Sequence, residues 1–344
     1  MKAVQLIEIG QPLQLREIPL PTVGEQDVLV RIQAAGVCHS DVHYRAGTSS
    51  VGPLPQTLGH EIAGVVEKVG ARVTDVKAGD RVCLHYLITC GVCDYCRTGK
   101  EQFCKDATML GKDCNGGYAE YVAVPAQNAV PLPEHIPYEQ GAVLMCSSAT
   151  VFHALRKARL SPGETVAVFG AGGLGMSAIQ LAKAFGALEV YAVDINKQKL
   201  SLAAQYGAIP IDAQRSDPVA GLHRSTGGKG VDVALELVGL PQVMQQAVQS
   251  LAPFGRAVLV GIAVRPFSID SYREVLGKEA EIIGSSDHLL QELPIVIEFV
   301  IQGTLDLTRV VTRTVPLEAS AVNDALNTLE EFAEGVRTVI TPSG

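Results

Sequence analysis

Residues Thr165–Gly175 read TVAVFGAGGLG, an apolar strand pattern that runs into a glycine-rich turn and then into an alanine-rich helical stretch. The spacing G-x-G-x-x-G is weak evidence alone, but its position between a strand and a helix is typical of a dinucleotide-binding turn. There Gly170 allows the tight turn, Gly172 lets the backbone approach a pyrophosphate, and Gly175 lets the helix pack closely on the strand. The helix N-terminus adds N–H groups and a positive dipole end. The stretch therefore predicts the phosphate-binding corner of a nucleotide-binding domain.

A carboxylate follows the next predicted strand. Glu189–Val193 ends at Asp194, twenty-four residues after Gly170. A carboxylate there can accept both ribose hydroxyls of an adenosine and repels a 2′-phosphate, which favours NAD over NADP. The alternative is a turn without a ligand and a solvated Asp194. Lys199 is close enough in the sequence to contact a ribose or a phosphate. The predicted cofactor-binding residues of this region are Gly170, Gly172, Gly173, Leu174, Gly175, Asp194 and Lys199.

Strands and helices alternate from about Ala149 onward. The predicted strands are Thr165–Phe169, Glu189–Val193, Val231–Leu237 and Arg256–Val260, with helices near Leu174–Phe185, Lys197–Tyr206 and Gln242–Ser250. Such alternation builds a parallel sheet with helices on both faces. The first third of the chain instead has short β-branched runs between Gly, Pro and Asp. The predicted fold class is α/β, with a doubly wound parallel (Rossmann) sheet over residues 149–286 inserted in a β-rich domain made of residues 1–148 and 287–344.

The bulk composition excludes several classes of protein. The 344 residues are 47% hydrophobic and 19% charged, which allows sizeable cores and argues against disorder. The net charge of −8 disfavours a nucleic-acid partner, including the alternative of a zinc-ribbon module that binds DNA. No apolar run is long enough to span a bilayer, and MKAVQLIEIG lacks the apolar segment of a signal peptide. We expect a cytoplasmic protein.

Four of the eight cysteines crowd into the segment 90–104 with the spacing C-x2-C-x2-C-x7-C. Four thiolates within such reach can close a tetrahedral zinc shell with no open position, as structural sites do. An iron–sulfur cluster and a disulfide-bonded segment are the alternatives. The predicted structural zinc ligands are Cys90, Cys93, Cys96 and Cys104.

A second metal site has to come from distant segments, and its candidates are Cys38, His60 and Cys146. Two thiolates and one neutral imidazole balance the charge of Zn²⁺ and leave a fourth position open, as catalytic zinc requires. Taken singly, each has a plain alternative, since a lone cysteine is often a small buried hydrophobe and a lone histidine a satisfied core residue.

The segments GVCHSDVH (36–43) and GHE (59–61), together with the four-cysteine segment, GDRV (79–82) and GAGGLG (170–175), resemble the zinc-dependent medium-chain alcohol dehydrogenases. The resemblance runs in the same order along essentially the whole chain. It implies a GroES-like fold for the β-rich domain, two zinc ions and one NAD per subunit, and Cys38, His60 and Cys146 as the catalytic zinc ligands. It also implies that Glu61 lies behind this zinc and approaches it during ligand exchange; a buried salt bridge is the alternative role.

The same resemblance assigns a proton route. Ser40 takes the alcohol proton, which passes through the nicotinamide ribose to His43 and on to solvent. A hydroxyl both donates and accepts, and an imidazole titrates near the working pH. His39 resembles a position that contacts the cofactor pyrophosphate, and Asp41 one that orients the zinc-bound histidine. A turn-capping serine and a surface histidine are the alternatives for Ser40 and His43.

The resemblance implies a small-molecule alcohol and its aldehyde or ketone as substrates, primary or secondary. Cys146 stands where polyol dehydrogenases tend to carry a carboxylate, which weighs against a polyol and leaves an amino alcohol such as threonine as an alternative. Family members are dimers or tetramers that often join their sheets edge to edge. We expect a homotetramer, with a dimer as the alternative, and the apolar run Ala257–Val264 is compatible with such an interface.

Overall fold

The computed structural model describes residues 1–330 and 335–342, which form two compact units. The first unit comprises Met1–Cys146, Leu289–Ile301 and Leu307–Gly344, and the second comprises Ser147–His288 and Gln302–Asp306. The predicted first domain, 1–148 and 287–344, therefore differs from the structure at residues 147–148 and 287–288 and at Gln302–Asp306. Gln302–Asp306 joins the second unit through a reciprocal pair of hydrogen bonds, in which Gln180 Nε2 donates to Asp306 O at 3.0 Å and Asp306 N donates to Gln180 Oε1 at 2.7 Å.

Short strands dominate the N-terminal part of the first unit. Its elements are β1 (Lys2–Leu6), β2 (Gln14–Glu17), β3 (Asp27–Gly36), α1 (His39–Ala46), β4 (Gln56–Thr57), β5 (Glu61–Val69), β6 (Arg81–Leu84), β7 (Leu87–Ile88), α2 (Asp94–Arg97), β8 (Thr108–Met109), β9 (Tyr121–Pro125), β10 (Ala129–Pro131) and α3 (Tyr138–Val143). A π-helical turn, Leu144–Ser148, follows α3. Such turns occur mostly as single irregularities at functional sites.

The second unit alternates helices and strands. Its elements are α4 (Ala149–Lys157), β11 (Thr165–Phe169), α5 (Gly173–Ala184), β12 (Glu189–Asp194), α6 (Lys197–Gln205), β13 (Ile209–Asp212), α7 (Pro218–Ser225), β14 (Val231–Glu236), α8 (Pro241–Gln249), β15 (Leu251–Leu259) and β16 (Glu281–Gly284). All strand pairs are parallel, in the order β13-β12-β11-β14-β15-β16. This is the doubly wound Rossmann order, so the predicted sheet is confirmed.

The apolar run Ala257–Val264, which the sequence makes compatible with an interface, is buried at its start and exposed at Ile262 and Val264. The run Ala257–Val264 begins inside β15, which pairs on both sides, with β14 and with β16. Its first residues are therefore interior, and β13 and β16 are the edge strands among the described residues.

The chain returns to the first unit through α9 (Leu293–Ile301), β17 (Val311–Pro316), α10 (Ala319–Glu330) and β18 (Arg337–Thr341). Its largest sheet has the order β10-β6-β5-β3-β18-β17, with β9 also on β3. Gly36 of β3 lies opposite Glu61 of β5 and Val339 of β18. This register brings the end of β3 and the starts of β5 and β18 to one end of the sheet.

Each unit has its own apolar core. Val30, Ile32 and Ile62 belong to the core of the first unit, and Phe169, Tyr191 and Val231 to that of the second. Shorter helical turns lie at Glu101–Phe103, Ala126–Asn128, Ser271–Val275, Leu276–Lys278 and Leu290–Glu292. In the part of the chain that the structure describes, no helix combines the length and the apolar character needed to cross a membrane.

Candidate functional site: two metal-binding clusters and a dinucleotide loop

One cluster of metal-binding side chains lies at the end of the large sheet in the first unit. Cys38 follows β3, His60 and Glu61 stand at the start of β5, and Cys146 lies in the π-helical turn. All four are buried, and their ligand atoms lie within 4.8 Å of one another. The sheet register places the first three together, and the π turn adds the fourth.

The chemistry of this cluster fits zinc. The hydrogen bond from Cys146 lowers the pKa of the Cys38 thiol well below its usual value, and the same bond, with burial, raises the pKa of Cys146. The Cys146 thiol therefore favours negative charge on Cys38, and the thiolate is the form of cysteine that binds metals. Two sulfurs and an imidazole are ligands that zinc prefers, and three such ligands leave a fourth position open.

Asp41 organises the side of this cluster that carries His60. Its Oδ2 accepts hydrogen bonds from Cys38 N at 3.0 Å and from the Tyr118 hydroxyl at 2.9 Å, and its Oδ1 accepts one from Gly59 N at 3.2 Å. The same Oδ1 lies 3.6 Å from His60 Nδ1, a charge contact longer than a hydrogen bond. Burial lowers the pKa of His60, but Asp41 and Cys38 outweigh it, and the pKa stands well above its usual value.

Glu61 takes part in a buried ion pair. Arg337 Nη2 donates to Glu61 Oε1 at 2.5 Å, and Arg337 Nη1 donates to Val37 O at 2.9 Å. Within the described residues, Glu61 Oε2 has no hydrogen-bond partner. Burial raises the pKa of Glu61 to about 7, against the opposing effect of Arg337. One carboxylate oxygen is therefore used by the salt bridge, and the other remains able to approach a metal.

Helix α1 carries Ser40 and His43, the expected proton relay, and His39, the expected contact to the pyrophosphate. The Cys38 Sγ and Ser40 Oγ atoms are 3.7 Å apart. The rings of His39 and His43 lie 5.1 Å apart, and burial lowers the pKa of both. His43 Nδ1 lies 3.1 Å from Thr48 Oγ1. Ser40 thus lies beside a metal-ligand candidate, and His43 is only half-buried, which suits a group that exchanges protons with water.

The four clustered cysteines form a second metal-binding site at residues 90–104, called here the four-cysteine lobe. Sγ–Sγ distances are 3.9 Å for Cys90–Cys96, and 3.5 Å for both Cys93–Cys96 and Cys90–Cys104. A tetrahedral shell with Zn–S bonds of about 2.3 Å places its sulfurs about 3.8 Å apart. The four Sγ atoms all lie within 4.8 Å of one another. The arrangement fits a closed structural zinc site.

The glycine-rich turn of the second unit keeps its backbone open. A Cβ on Gly175 would lie 2.0 Å from Gly170 O, so a side chain there would separate helix α5 from the turn. Gly170 has a φ of +97°, which favours glycine. A Cβ on Gly172 would meet nothing within 4 Å. The open space over Gly172 matches the approach that a pyrophosphate needs, and Gly173 and Leu174 form the first turn of α5 behind it.

The Asp194 side chain is hydrogen-bonded to the backbone of this turn. Its Oδ2 accepts a hydrogen bond from Ala171 N at 2.7 Å, and its Oδ1 accepts one from Asn196 N at 2.8 Å. Each oxygen keeps a lone pair with which it can accept a ribose hydroxyl. Lys199 lies in the first turn of α6, where its backbone N donates to Asn196 Oδ1 at 3.2 Å.

The two remaining cysteines are not in either cluster. Burial raises the pKa of Cys83 to about 12 and that of Cys114 to about 11. Both are therefore protonated thiols at neutral pH, and a protonated thiol is a poor nucleophile. This makes Cys114 less sensitive to oxidation than an exposed cysteine.

No role for Tyr118 or Arg337 was predicted from the sequence, although Tyr118 contacts Asp41 and Arg337 contacts Glu61. Tyr118 is 77 residues from Asp41 and Arg337 is 276 residues from Glu61, so spacing carried no signal. A charged residue at the start of a strand that is otherwise β-branched throughout, as in RTVIT, is the feature that could have indicated Arg337.

Two family descriptions match this sequence. "Alcohol dehydrogenase GroES-like domain" matches residues 24–134, and "Zinc-binding dehydrogenase" matches residues 173–302. The first covers Cys38, His60 and the four-cysteine lobe, and the second begins in the glycine-rich turn.

Full-length relatives are similar. An NAD-dependent alcohol dehydrogenase of Sulfurisphaera tokodaii is 37% identical over 99% of this chain and 100% of the relative. An L-threonine 3-dehydrogenase of Bacillus velezensis is 34% identical over 92% of this chain and 93% of the relative. Among solved structures, an NAD-dependent alcohol dehydrogenase superposes with a TM-score of 0.93 at 31% identity, covering 99% of both chains.

Proposed function

The chain belongs to the zinc-dependent medium-chain alcohol dehydrogenases, and we propose that it transfers a hydride reversibly between primary or secondary alcohols and NAD at the Cys38, His60 and Cys146 cluster. It is an NAD-linked oxidoreductase with zinc as its metal. The observation that carries the proposal is the buried set of two thiols and one imidazole, with ligand atoms within 4.8 Å.

Two separate sets of residues would hold the two zinc ions. Cys38, His60 and Cys146 would hold the catalytic zinc, with Glu61 as an alternative ligand, and Cys90, Cys93, Cys96 and Cys104 would hold the structural zinc. When bound, the catalytic zinc supplies a Lewis acid that lowers the pKa of the alcohol, and NAD supplies the hydride acceptor. Asp41 orients the His60 ring, as carboxylates do for metal-bound histidines.

The proton leaves along residues of helix α1. Ser40 accepts it from the alcohol, because its hydroxyl can accept one proton while donating another. His43 releases it to water, since its imidazole is half-buried and its pKa is lowered by burial. The contact between Cys38 and Ser40 supports the first step by placing the hydroxyl beside a zinc ligand.

The second unit binds the dinucleotide. Gly170, Gly172 and Gly175 keep the turn open to the pyrophosphate, and the N-terminus of α5, with Gly173 and Leu174, donates to it. Asp194 accepts the adenosine ribose hydroxyls and disfavours a 2′-phosphate. His39 and Lys199 add positive charge or N–H groups toward the phosphates and ribose.

An amino alcohol is the second candidate substrate. The observation that favours it is the similarity to L-threonine 3-dehydrogenases, at 34% identity over 92% of this chain. The thiolate ligand Cys146, in place of the carboxylate that polyol dehydrogenases tend to carry, weighs against polyols and does not separate simple alcohols from amino alcohols.

We infer a homotetramer in the cytoplasm. Edge strand β16 and the exposed apolar Ile262, Val264, Tyr272 and Leu276 near it support one self-association surface. A tetramer needs a second surface, for which the exposed Val92, Tyr95 and Phe103 of the four-cysteine lobe are apolar candidates. The location is supported by the proposed assignment of six of the eight cysteines to zinc, because cysteine clusters serve as metal ligands more often than as disulfides in reducing compartments.

The deciding experiment is the initial rate of NADH formation by zinc-loaded protein with primary, secondary, aromatic and polyhydroxy alcohols and with L-threonine. Turnover of simple alcohols is the expected result. Turnover of threonine alone would keep the chemistry and replace the substrate class. No turnover across the panel in protein that carries two zinc ions per chain would overturn the catalytic assignment.

A further inference from the structure

A buried phenol donates into the carboxylate that faces the zinc-binding histidine. The Tyr118 hydroxyl lies 2.9 Å from Asp41 Oδ2, and both residues have no solvent exposure. Because an ionised carboxylate can only accept, the phenol is the donor. We propose that Tyr118 is a positioning residue for the catalytic metal, which fixes Asp41 so that Asp41 fixes His60. The proposal rests on the proposed function, in which His60 is a zinc ligand.

The two oxygens of Asp41 have separate tasks. Oδ2 takes the hydrogen bonds from Tyr118 and from Cys38 N, while Oδ1 takes the one from Gly59 N and faces His60 Nδ1 at 3.6 Å. With both donors on Oδ2, the carboxylate plane cannot rotate freely. The fixed Oδ1 favours a proton on His60 Nδ1, which leaves Nε2 with its lone pair for a metal.

The ring of Tyr118 is held on the residue next to His60. A Cβ on Gly59 would lie 2.4 Å from Tyr118 Cδ1, so the ring sits directly on the glycine backbone, whose φ is +90°. Tyr118 N donates to Leu58 O at 3.0 Å, and Val4 N donates to Tyr118 O at 2.7 Å. Both the backbone and the ring are therefore fixed, and the hydroxyl has one place to donate.

The glycines before Tyr118 make this approach possible. A Cβ on Gly116 would lie 2.1 Å from Gly59 O, and one on Gly117 would lie 2.6 Å from Ile62 Cγ1. The segment Gly116–Tyr118 thus packs backbone to backbone against the turn that presents His60. Because of this close packing, a shift of Tyr118 would also shift the turn that presents His60.

The test is metal retention in Tyr118→Phe, which keeps the ring and removes only the hydroxyl. Wild-type protein and the variant, each loaded with two zinc ions, are exposed to a competing chelator, and released zinc is measured over time. Loss of a partner in the outer shell typically costs 10–100-fold in metal affinity. We expect about tenfold weaker retention of one zinc and unchanged retention of the zinc in the four-cysteine lobe.

Tyr191→Phe is the matched control, because Tyr191 is a buried tyrosine of the second unit that donates to Glu189 Oε2 at 2.5 Å. It should leave both zinc ions unaffected. A second readout is the visible absorption of Co²⁺ placed in the catalytic site, which should change in Tyr118→Phe and not in Tyr191→Phe. Circular dichroism and the retained lobe zinc report folding in the same samples.

A double-mutant cycle identifies the route of the effect. If Tyr118 acts through Asp41, Tyr118→Phe should weaken zinc binding in the wild-type background and have no further effect in Asp41→Ala. Equal effects of Tyr118→Phe on zinc binding in both backgrounds would overturn this inference and leave the proposed function in place. The same holds if Tyr118→Phe retains zinc as the wild type does and shows an unchanged Co²⁺ spectrum. Wild-type protein that binds only one zinc, unaffected by Cys146→Ala, would instead overturn the proposed function.

Discussion

At the scale of single residues, the proton route depends on the hydroxyl of Ser40. Its Oγ lies 3.7 Å from Cys38 Sγ, beside the proposed metal. We expect Ser40→Ala to reduce turnover by about 10²-fold or more, because a positioned proton acceptor typically contributes 10²–10⁴-fold. The measurement is kcat for alcohol oxidation, together with the dissociation constant of NAD, which should stay unchanged.

Ser40→Thr is the matched control, since it keeps the hydroxyl and adds one methyl group. It should retain most of the turnover that the alanine variant loses. Equal kcat in the wild type and Ser40→Ala would remove Ser40 from the proton route and leave the zinc ligands in place.

A second prediction at this scale concerns pH. Burial lowers the pKa of His85 to about 4, against about 6.5 in an unfolded chain. Between these values the unfolded state binds a proton that the folded state does not, so stability rises with pH through this window and is fully present above pH 6.5. The difference amounts to about 3 kcal/mol lost on going from pH 6.5 to pH 4.

His85→Gln should therefore flatten the pH dependence of the unfolding free energy, measured by denaturant titration between pH 4 and pH 7. The unfolding free energy of this variant falls at every pH, because the His85 ring that stacks on Tyr86 is lost. Only the change of the unfolding free energy with pH therefore tests the prediction. The exposed His135 is the control, and His135→Gln should keep the wild-type slope. An unchanged slope in His85→Gln would mean that its ring accepts a proton in the folded state.

At the scale of elements, two glycines of one turn should separate stability from cofactor binding. A Cβ on Gly175 would lie 2.0 Å from Gly170 O, so Gly175→Ala must push helix α5 from strand β11, at a cost of about 1–3 kcal/mol. A Cβ on Gly172 would enter open space at a φ of −77°, so Gly172→Ala should leave stability nearly unchanged. It should weaken NAD binding about tenfold, or ~1.4 kcal/mol, by occupying the place of the pyrophosphate.

Thermal unfolding and NAD titration of the two variants provide the measurement. Loss of stability in Gly172→Ala, or NAD binding that survives in Gly172→Ala, would contradict the assigned position of the pyrophosphate. The two substitutions are chemically identical, which makes each the control for the other.

The same scale shows which elements the sequence could predict. Strand Thr165–Phe169 was predicted with the observed bounds, because it is a continuous run of β-formers between clear turn residues. The sheet strands β13 and β16 were not predicted: IPID contains a proline and EIIG is only four residues long. Helix α7 was also missed, although Asp217 and Pro218 form a recognisable N-terminus, with Asp217 Oδ1 accepting from Val219 N at 3.0 Å.

The residues of the candidate site also differ in whether the sequence could predict them. The four-cysteine lobe and the glycine turn are local in sequence, so cysteine spacing predicted the first, and glycine spacing between a strand and a helix predicted the second. Cys38, His60 and Cys146 were assigned only through the family resemblance, because sheet register and a π-helical turn bring them together. Contacts such as Tyr118 with Asp41 come from tertiary packing between segments 77 residues apart, which no local pattern records.

At the scale of the whole molecule, the remaining question is how copies of the chain associate. The sheet of the second unit has two edge strands among the described residues, β13 and β16, and an exposed edge is a template for pairing with another chain. Each presents an exposed isoleucine of similar accessibility, Ile209 at 40% and Ile282 at 36%. The segment that leads into β16 carries two more exposed apolar side chains, Tyr272 at 72% and Leu276 at 67%. We therefore propose β16 as the self-association edge.

Ile282→Lys should therefore lower the oligomeric state, because a lysine on an edge strand opposes pairing with a like-charged copy. Light scattering coupled to size-exclusion chromatography should give a tetramer for the wild type and a smaller species for Ile282→Lys. Ile209→Lys adds the same charge to the opposite edge and should remain a tetramer. A wild-type monomer would contradict self-association altogether, whereas dissociation by Ile209→Lys and not by Ile282→Lys would move the interface to β13.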